Sequence, residues 1–123
     1  MQDSNFLKVK TYLYELDYDI THENEEDGVL VVEKEDTGIH NLVIGCADPI
    51  LILEQYIFTV KRDSSDMFKA LLQKNRDIIH GAFVMDESGK KVIFRDTLQL
   101  SNLDLNELEA SLNSLGLLLT EFT

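Results

Sequence analysis

The sequence predicts an α+β domain, a mainly antiparallel sheet with helices packed on it, and three observations predict it. Apolar residues recur at helical spacing in three separated stretches. Between those stretches lie short runs rich in β-branched and aromatic residues, which suit a pleated surface. Two junctions, Glu35-Asp36-Thr37-Gly38 and Asp86-Glu87-Ser88-Gly89-Lys90, read as turns that fold one strand back beside the next. The expected order is α-β-β-β-α-β-β-α, with a possible extra short strand near residues 18–22.

Residues 4–16 form the first expected helix. Phe6, Val9, Leu13 and Leu16 fall on one face, and Ser4 is placed to cap it. Tyr18, Ile20 and His22 alternate with Asp19 and Thr21, the pattern of a short half-buried strand. After an acidic turn, Glu23 to Gly28, the run Val29-Leu30-Val31-Val32 reads as a strand, and Ile39 to Cys46 as its return. Asp48-Pro49 breaks the chain. Ile50 to Val60 reads as a third long strand, although Leu51-Ile52-Leu53-Glu54 also fits a short helix.

Ser64 and Ser65 precede the second helix, whose expected buried stripe is Met67, Phe68, Leu71 and Leu72, ending near Arg76 and Asp77. Ala82 to Met85 and Val92 to Phe94 form a hairpin. The last helix carries the fullest signature. Asp104 and Glu107 have capping-box spacing, Leu103 and Leu108 can staple its first turn, and Leu105, Leu108, Leu112, Leu115, Leu119 and Phe122 follow as a stripe. Gly116 weakens that helix by about 1 kcal/mol relative to Ala, enough to end it early.

The 123 residues fit a single domain, residues 1–123, long enough to bury a core. With 11 Lys plus Arg against 23 Asp plus Glu, the net charge is −12. That balance disfavours nucleic acid and anionic membrane as partners, since both are held mainly by Lys and Arg. The charge is uneven: residues 1–45 hold 11 acids and 3 bases (net −8), residues 46–100 hold 8 and 8, and residues 101–123 hold 4 acids and no base. The sole cysteine, Cys46, cannot form a disulfide within the chain, and Met1 to Asn5 lacks the basic start of a leader, so a cytoplasmic protein is expected.

No nucleotide-binding, zinc-protease or serine-hydrolase motif is present. Glu23, Glu25, Asp27 and Gly28 fall at positions 1, 3, 5 and 6 of a calcium loop, but position 12 is Lys34 where a bidentate Glu is needed. His22, His40 and His80 have no local metal-ligand spacing with one another or with Cys46, so neither metal nor cofactor is expected. Cys46, between Gly45 and Ala47, reads as a small core thiol. Asn75-Arg76-Asp77 and Arg95-Asp96-Thr97 read as polar clusters at element ends, where capping and ion pairing are favoured over anchoring a partner. Leu117 and Leu118 fall off the stripe of the last helix, and a helix apolar on more than one face must bury the rest somewhere.

The segments Leu71 to Arg76, His80-Gly81-Ala82-Phe83-Val84, Arg95-Asp96-Thr97-Leu98 and Asn102 to Glu109 resemble the YbjN-like family, described as candidate bacterial sensory transduction regulators and similar in fold to class I type III secretion chaperones. The resemblance spans about residues 60–116. It implies a small α+β domain of the order read above, in an acidic, cytoplasmic, usually homodimeric protein that binds unfolded partner segments on apolar surface. It implies no catalytic residues. The expectation is therefore a non-enzymatic protein-binding module, a homodimer, using Leu117, Leu118 and Phe122 with the sheet residues Tyr56 and Phe58. The alternative is a small-molecule sensor or an enzyme with a polar pocket near His80, Arg95 and Asp96.

Overall fold

The computed structural model describes residues 2–121, and of residues 2–4 the backbone alone. Three helices, α1 (Gln2–Glu15), α2 (Ser65–Asn75) and α3 (Leu105–Glu121), accompany six strands: β1 (Asp19–Asn24), β2 (Val29–Lys34), β3 (Ile39–Ala47), β4 (Ile50–Thr59), β5 (Ala82–Met85) and β6 (Lys91–Gln99). The strands form one antiparallel sheet in the order β1-β2-β3-β4-β6-β5. The extra strand near residues 18–22 is present as β1, and Ile50 to Thr59 is strand throughout, so the helical reading of Leu51 to Glu54 falls. The helix α1 starts at Gln2, which places Ser4 inside it and not at its cap.

The core lies between one face of the sheet and the helices. Phe6, Val9 and Leu13 from α1 and Leu108, Leu112, Leu115 and Leu118 from α3 are buried against Leu30, Val32, Leu42, Ile44, Leu51, Leu53 and Phe94. The first turn of α3 forms as its sequence predicts. Asp104 Oδ1 accepts from Glu107 N at 2.8 Å, Glu107 Oε1 accepts from Asp104 N at 3.3 Å, and Leu103 and Leu108 are both buried. The helix then runs through Gly116 to Glu121, past the expected early end.

At the other end of α1, Lys34 Nζ donates to the carbonyl of Leu16 at 3.0 Å and sits 5.3 Å from the centre of the Tyr18 ring. A cation thereby meets carbonyls that the helix terminus leaves without partners. Burial pushes the Tyr18 phenol up to about 12, against a hydrogen bond with Thr37 that lowers it.

Two expectations fail for identifiable reasons. No residue of α2 is fully buried, and Leu72 is 69% exposed. The helix is capped as expected, Ser64 Oγ accepting from Met67 N at 3.3 Å, but it lies over the short edge strand β5, which offers too little surface to cover its stripe. Arg95-Asp96-Thr97 is mid-strand, because β6 continues to Gln99 in pairing with β4.

Candidate functional site

Besides Leu7 and Tyr14 on α1, apolar surface is exposed beside α2 and on the sheet. The first is a groove of about 330 Å³ between α2, the loop after it and α3. Ile78 and Leu118 belong to its wall, while Ile79, 89% exposed, and Leu117, 70% exposed, stand out from it. The loop is tied to α3 by Ser114 Oγ, which donates to the His80 carbonyl at 3.0 Å, and an ion pair between Lys74 and Glu121 joins the two helices. A smaller groove of about 210 Å³ runs along the other side of α2, where Phe68 and Leu71 approach Phe83, Met85 and Val92.

The second place is the sheet face turned away from the helices. Side chains of paired residues in adjacent strands point to the same side, so the register places Val31, Val43, Glu54, Arg95 and Ala82 in one row across that face. Ile52 lies in the row before it, and Tyr56, Ile93 and Val84 in the row after. Val43 and Tyr56 are 40% and 50% exposed. Glu54 and Arg95 pair at 3.6 Å, each about two-fifths exposed.

The sequence-predicted contact residues do not form one surface. Leu117 lines the α2–α3 groove as an exposed residue. Its neighbour Leu118 is 4% exposed and belongs to the core, a correction with a simple cause: it stands three residues after Leu115, on the same helical face. Tyr56 is on the uncovered face, but Phe58 is half-buried on the core side. A bulge separates them: Tyr56 pairs with Ile93 and Phe58 with Val92, so the extra residue, Ile57, reverses the alternation. Phe122 lies outside the described residues.

The alternative pocket is not assembled. Arg95 and Asp96 are consecutive in β6 and point to opposite faces. Arg95 meets Glu54, whereas Asp96 Oδ2 accepts from the buried Ser111 hydroxyl at 2.6 Å beneath α3. His80 lines the α2–α3 groove. The described residues include no group of three His, Cys, Asp or Glu placed to hold a metal. Cys46 is half-buried, and burial pushes its thiol up to about 11, which leaves little thiolate at neutral pH.

The two edges of the sheet differ as well. On β5, Asn75 Oδ1 accepts from Phe83 N at 2.8 Å and Asn75 Nδ2 donates to Phe83 O at 3.2 Å, so α2 occupies that edge with a side-chain amide in place of another strand. On β1, among the described residues, no backbone group bonds outside its ladder with β2. The strand is exposed except at Ile20, and an ion pair from Lys10 to Glu23 at 3.0 Å ties it to α1.

A family model described as CesT_Tir_1, a type III chaperone family, matches residues 2–123. The chain belongs to that family. Solved structures agree with this membership at the level of fold. A chain of the HopA1–SchA chaperone–effector complex is 14% identical, with a TM-score of 0.69 over 97% of this chain and 94% of that one. YbjN from E. coli, described as a candidate transcription regulator, is 12% identical, with a TM-score of 0.66 over 92% and 87%. The Yersinia pestis type III secretion chaperone SycH, in complex with a fragment of YscM2, is 14% identical, with a TM-score of 0.64 over 97% and 99%. No curated protein sequence matches the chain. The CesT_Tir_1 fold accounts for the segments that resemble YbjN, since they lie in α2, β5, β6 and the start of α3. The described part of this family member also has no helix long and apolar enough to cross a membrane.

Proposed function

We propose that the chain is a non-enzymatic, chaperone-like or regulatory module, one domain over residues 1–123, which acts as a homodimer in the bacterial cytoplasm and holds a segment of a partner protein without covalent chemistry. Membership of a type III chaperone family supports the class of activity, and two of the similar structures are of chaperones bound to protein partners. One observation carries the placement of the contact: Ile79 and Leu117, two large apolar side chains, stand 89% and 70% exposed at a groove whose wall is already apolar. Exposed aliphatic groups beside a preformed groove are the surface into which a partner's apolar anchors fit. The open edge of β1 offers a second mode, addition of a partner strand.

A photo-crosslinking amino acid at position 117 tests the placement in the native host. The expected result is a defined protein adduct from position 117, absent when the crosslinker is at exposed Thr11, and lost on Ile79→Asp. Equal labelling from both positions, or none from position 117, would refute the groove as the contact.

A further inference from the structure

We propose that the partner segment held in the α2–α3 groove is amphipathic and basic, with aliphatic side chains that pack between Ile79 and Leu117 and a Lys or Arg that pairs with Asp77. This rests on the groove reading above and supplies what that reading leaves open, the chemistry of the occupant.

The groove joins two helix ends. Asp77 stands two residues past the end of α2 and Glu121 in the last described turn of α3, and both line it. The carbonyls that a helix leaves without partners give its C-terminus a partial negative charge, so cations are favoured there and acids are not. Here an acid stands at each end. Among the described residues Lys74 is the only Lys or Arg lining the groove, and α3 can bring none, because no Lys or Arg follows Arg95 in the chain.

Lys74 is already committed to Glu121. No cation of the described residues pairs with Asp77, which is exposed. Its carboxylate therefore contributes no ion pair to the fold, and it opposes the field of the helix that carries it. Beside it, Ile79 and Leu117 are bare. The bond from Ser114 Oγ to the His80 carbonyl holds the loop against α3, so the groove and its acid are set before a partner arrives.

Charge selects among occupants. An acidic segment would meet Asp77, Glu121 and two negative helix ends on a molecule of net charge −12. A second copy carries that same net charge and, placed groove to groove, brings the same acids. A basic segment without apolar side chains would leave Ile79 and Leu117 uncovered. A segment that is both aliphatic and basic matches the apolar wall and the unpaired carboxylate together.

Fluorescence anisotropy with the full chain at physiological salt tests the proposal with three labelled amphipathic peptides, one built of Leu and Lys, one of Leu and Glu and one of Ser and Lys. The Leu–Lys peptide is expected to bind, and the other two about tenfold more weakly or worse. Leu117→Ala and Asp77→Asn, both at exposed positions, should each weaken the Leu–Lys peptide about threefold or more. Glu26→Gln removes the same charge from the turn between β1 and β2 and should leave binding within about twofold. Equal affinity for the Leu–Lys and Leu–Glu peptides, both weakened by Leu117→Ala, overturns the basic partner and leaves the groove standing. A Ser–Lys peptide that binds as tightly as Leu–Lys, equal losses in Asp77→Asn and Glu26→Gln, Leu–Lys binding that Leu117→Ala does not weaken, or no binding of any peptide overturns the proposal, and the crosslink from position 117 then decides the groove by itself. A Leu117→Ala variant that sediments as a smaller species than the wild type assigns the groove to a second copy and overturns both readings.

Discussion

The adjacent residues Leu117 and Leu118 predict opposite outcomes for the same substitution. Leu118 is 4% exposed within the cluster that joins α3 to the sheet. Leu118→Ala removes three carbon groups at about 0.8 kcal/mol each from a fully buried site, or about 2.4 kcal/mol of transfer energy. The cavity adds to this, and measured Leu→Ala losses in cores span about 2–5 kcal/mol. Position 118 lies in the last turns of α3, where the chain can partly close around the gap, so a loss of about 3 kcal/mol is expected. For a chain of this length that lowers Tm by roughly 10–15 °C. Leu117 is 70% exposed. The same change there forfeits less than a third of the burial and costs about 0.7 kcal/mol or less. Urea unfolding of both variants, at one fixed protein concentration because a dimer's stability depends on it, measures the contrast. A Leu118→Ala variant within about 0.5 kcal/mol of wild type, or equal losses at the two positions, would refute the assignment of Leu118 to the core and Leu117 to the groove.

Other substitutions probe single features of the fold. Gly81→Ala puts a methyl 2.3 Å from Phe94 Cζ at a φ of +89°, so a loss of about 2 kcal/mol or more is expected by thermal unfolding. Asn75→Ala removes both bonds to the edge of β5 and is expected to cost about 1–3 kcal/mol, with faster amide exchange at Phe83 as the local readout. Cys46 should label slowly with a thiol reagent at pH 7.5 and rapidly in urea, since burial raises its folded pKa; equal rates would contradict the half-buried placement. Tyr18 is protonated to higher pH in the folded than in the unfolded chain, so its contribution is present below pH 10 and is lost as pH rises towards about 12; Tyr18→Phe should flatten that alkaline loss.

What the sequence shows directly is whatever neighbours along the chain decide. The capping box of Asp104 and Glu107, the Ser64 cap and the turn at Gly38 involve residues within four positions of one another, and all three form. The strand order also follows from local hairpins, except for the crossover that inserts β6 between β4 and β5. What a linear reading misses depends on what a segment meets in space. Leu72 has the spacing of a core residue but extends past a strand of four residues. Arg95 and Asp96 look like the polar end of an element until pairing with β4 carries β6 onward. Tyr56 and Phe58, two apart, share a face in any regular strand, and only the bulge separates them. Of the site, Leu117 was legible because it lies off the helical stripe. Ile79 was not, since no periodicity marks a loop residue, although the adjacent Ile78-Ile79 in a polar stretch is a signal in retrospect.

The uneven charge of the chain acquires a structural reason from this arrangement. Residues 46–100, with 8 acids and 8 bases, include β4, α2, β5 and β6. These elements supply the α2 side of the α2–α3 groove and most of the uncovered face. The surplus acids sit on β1 and the turns on either side of it, on Glu33 of β2, on Glu35 and Asp36 after it, and on exposed Asp104, Glu107, Glu109 and Glu121. A molecule with −12 spread evenly would carry repulsion into every contact it makes with a second copy. At the centre of the sheet's uncovered face, where Glu54 meets Arg95, the charge is balanced.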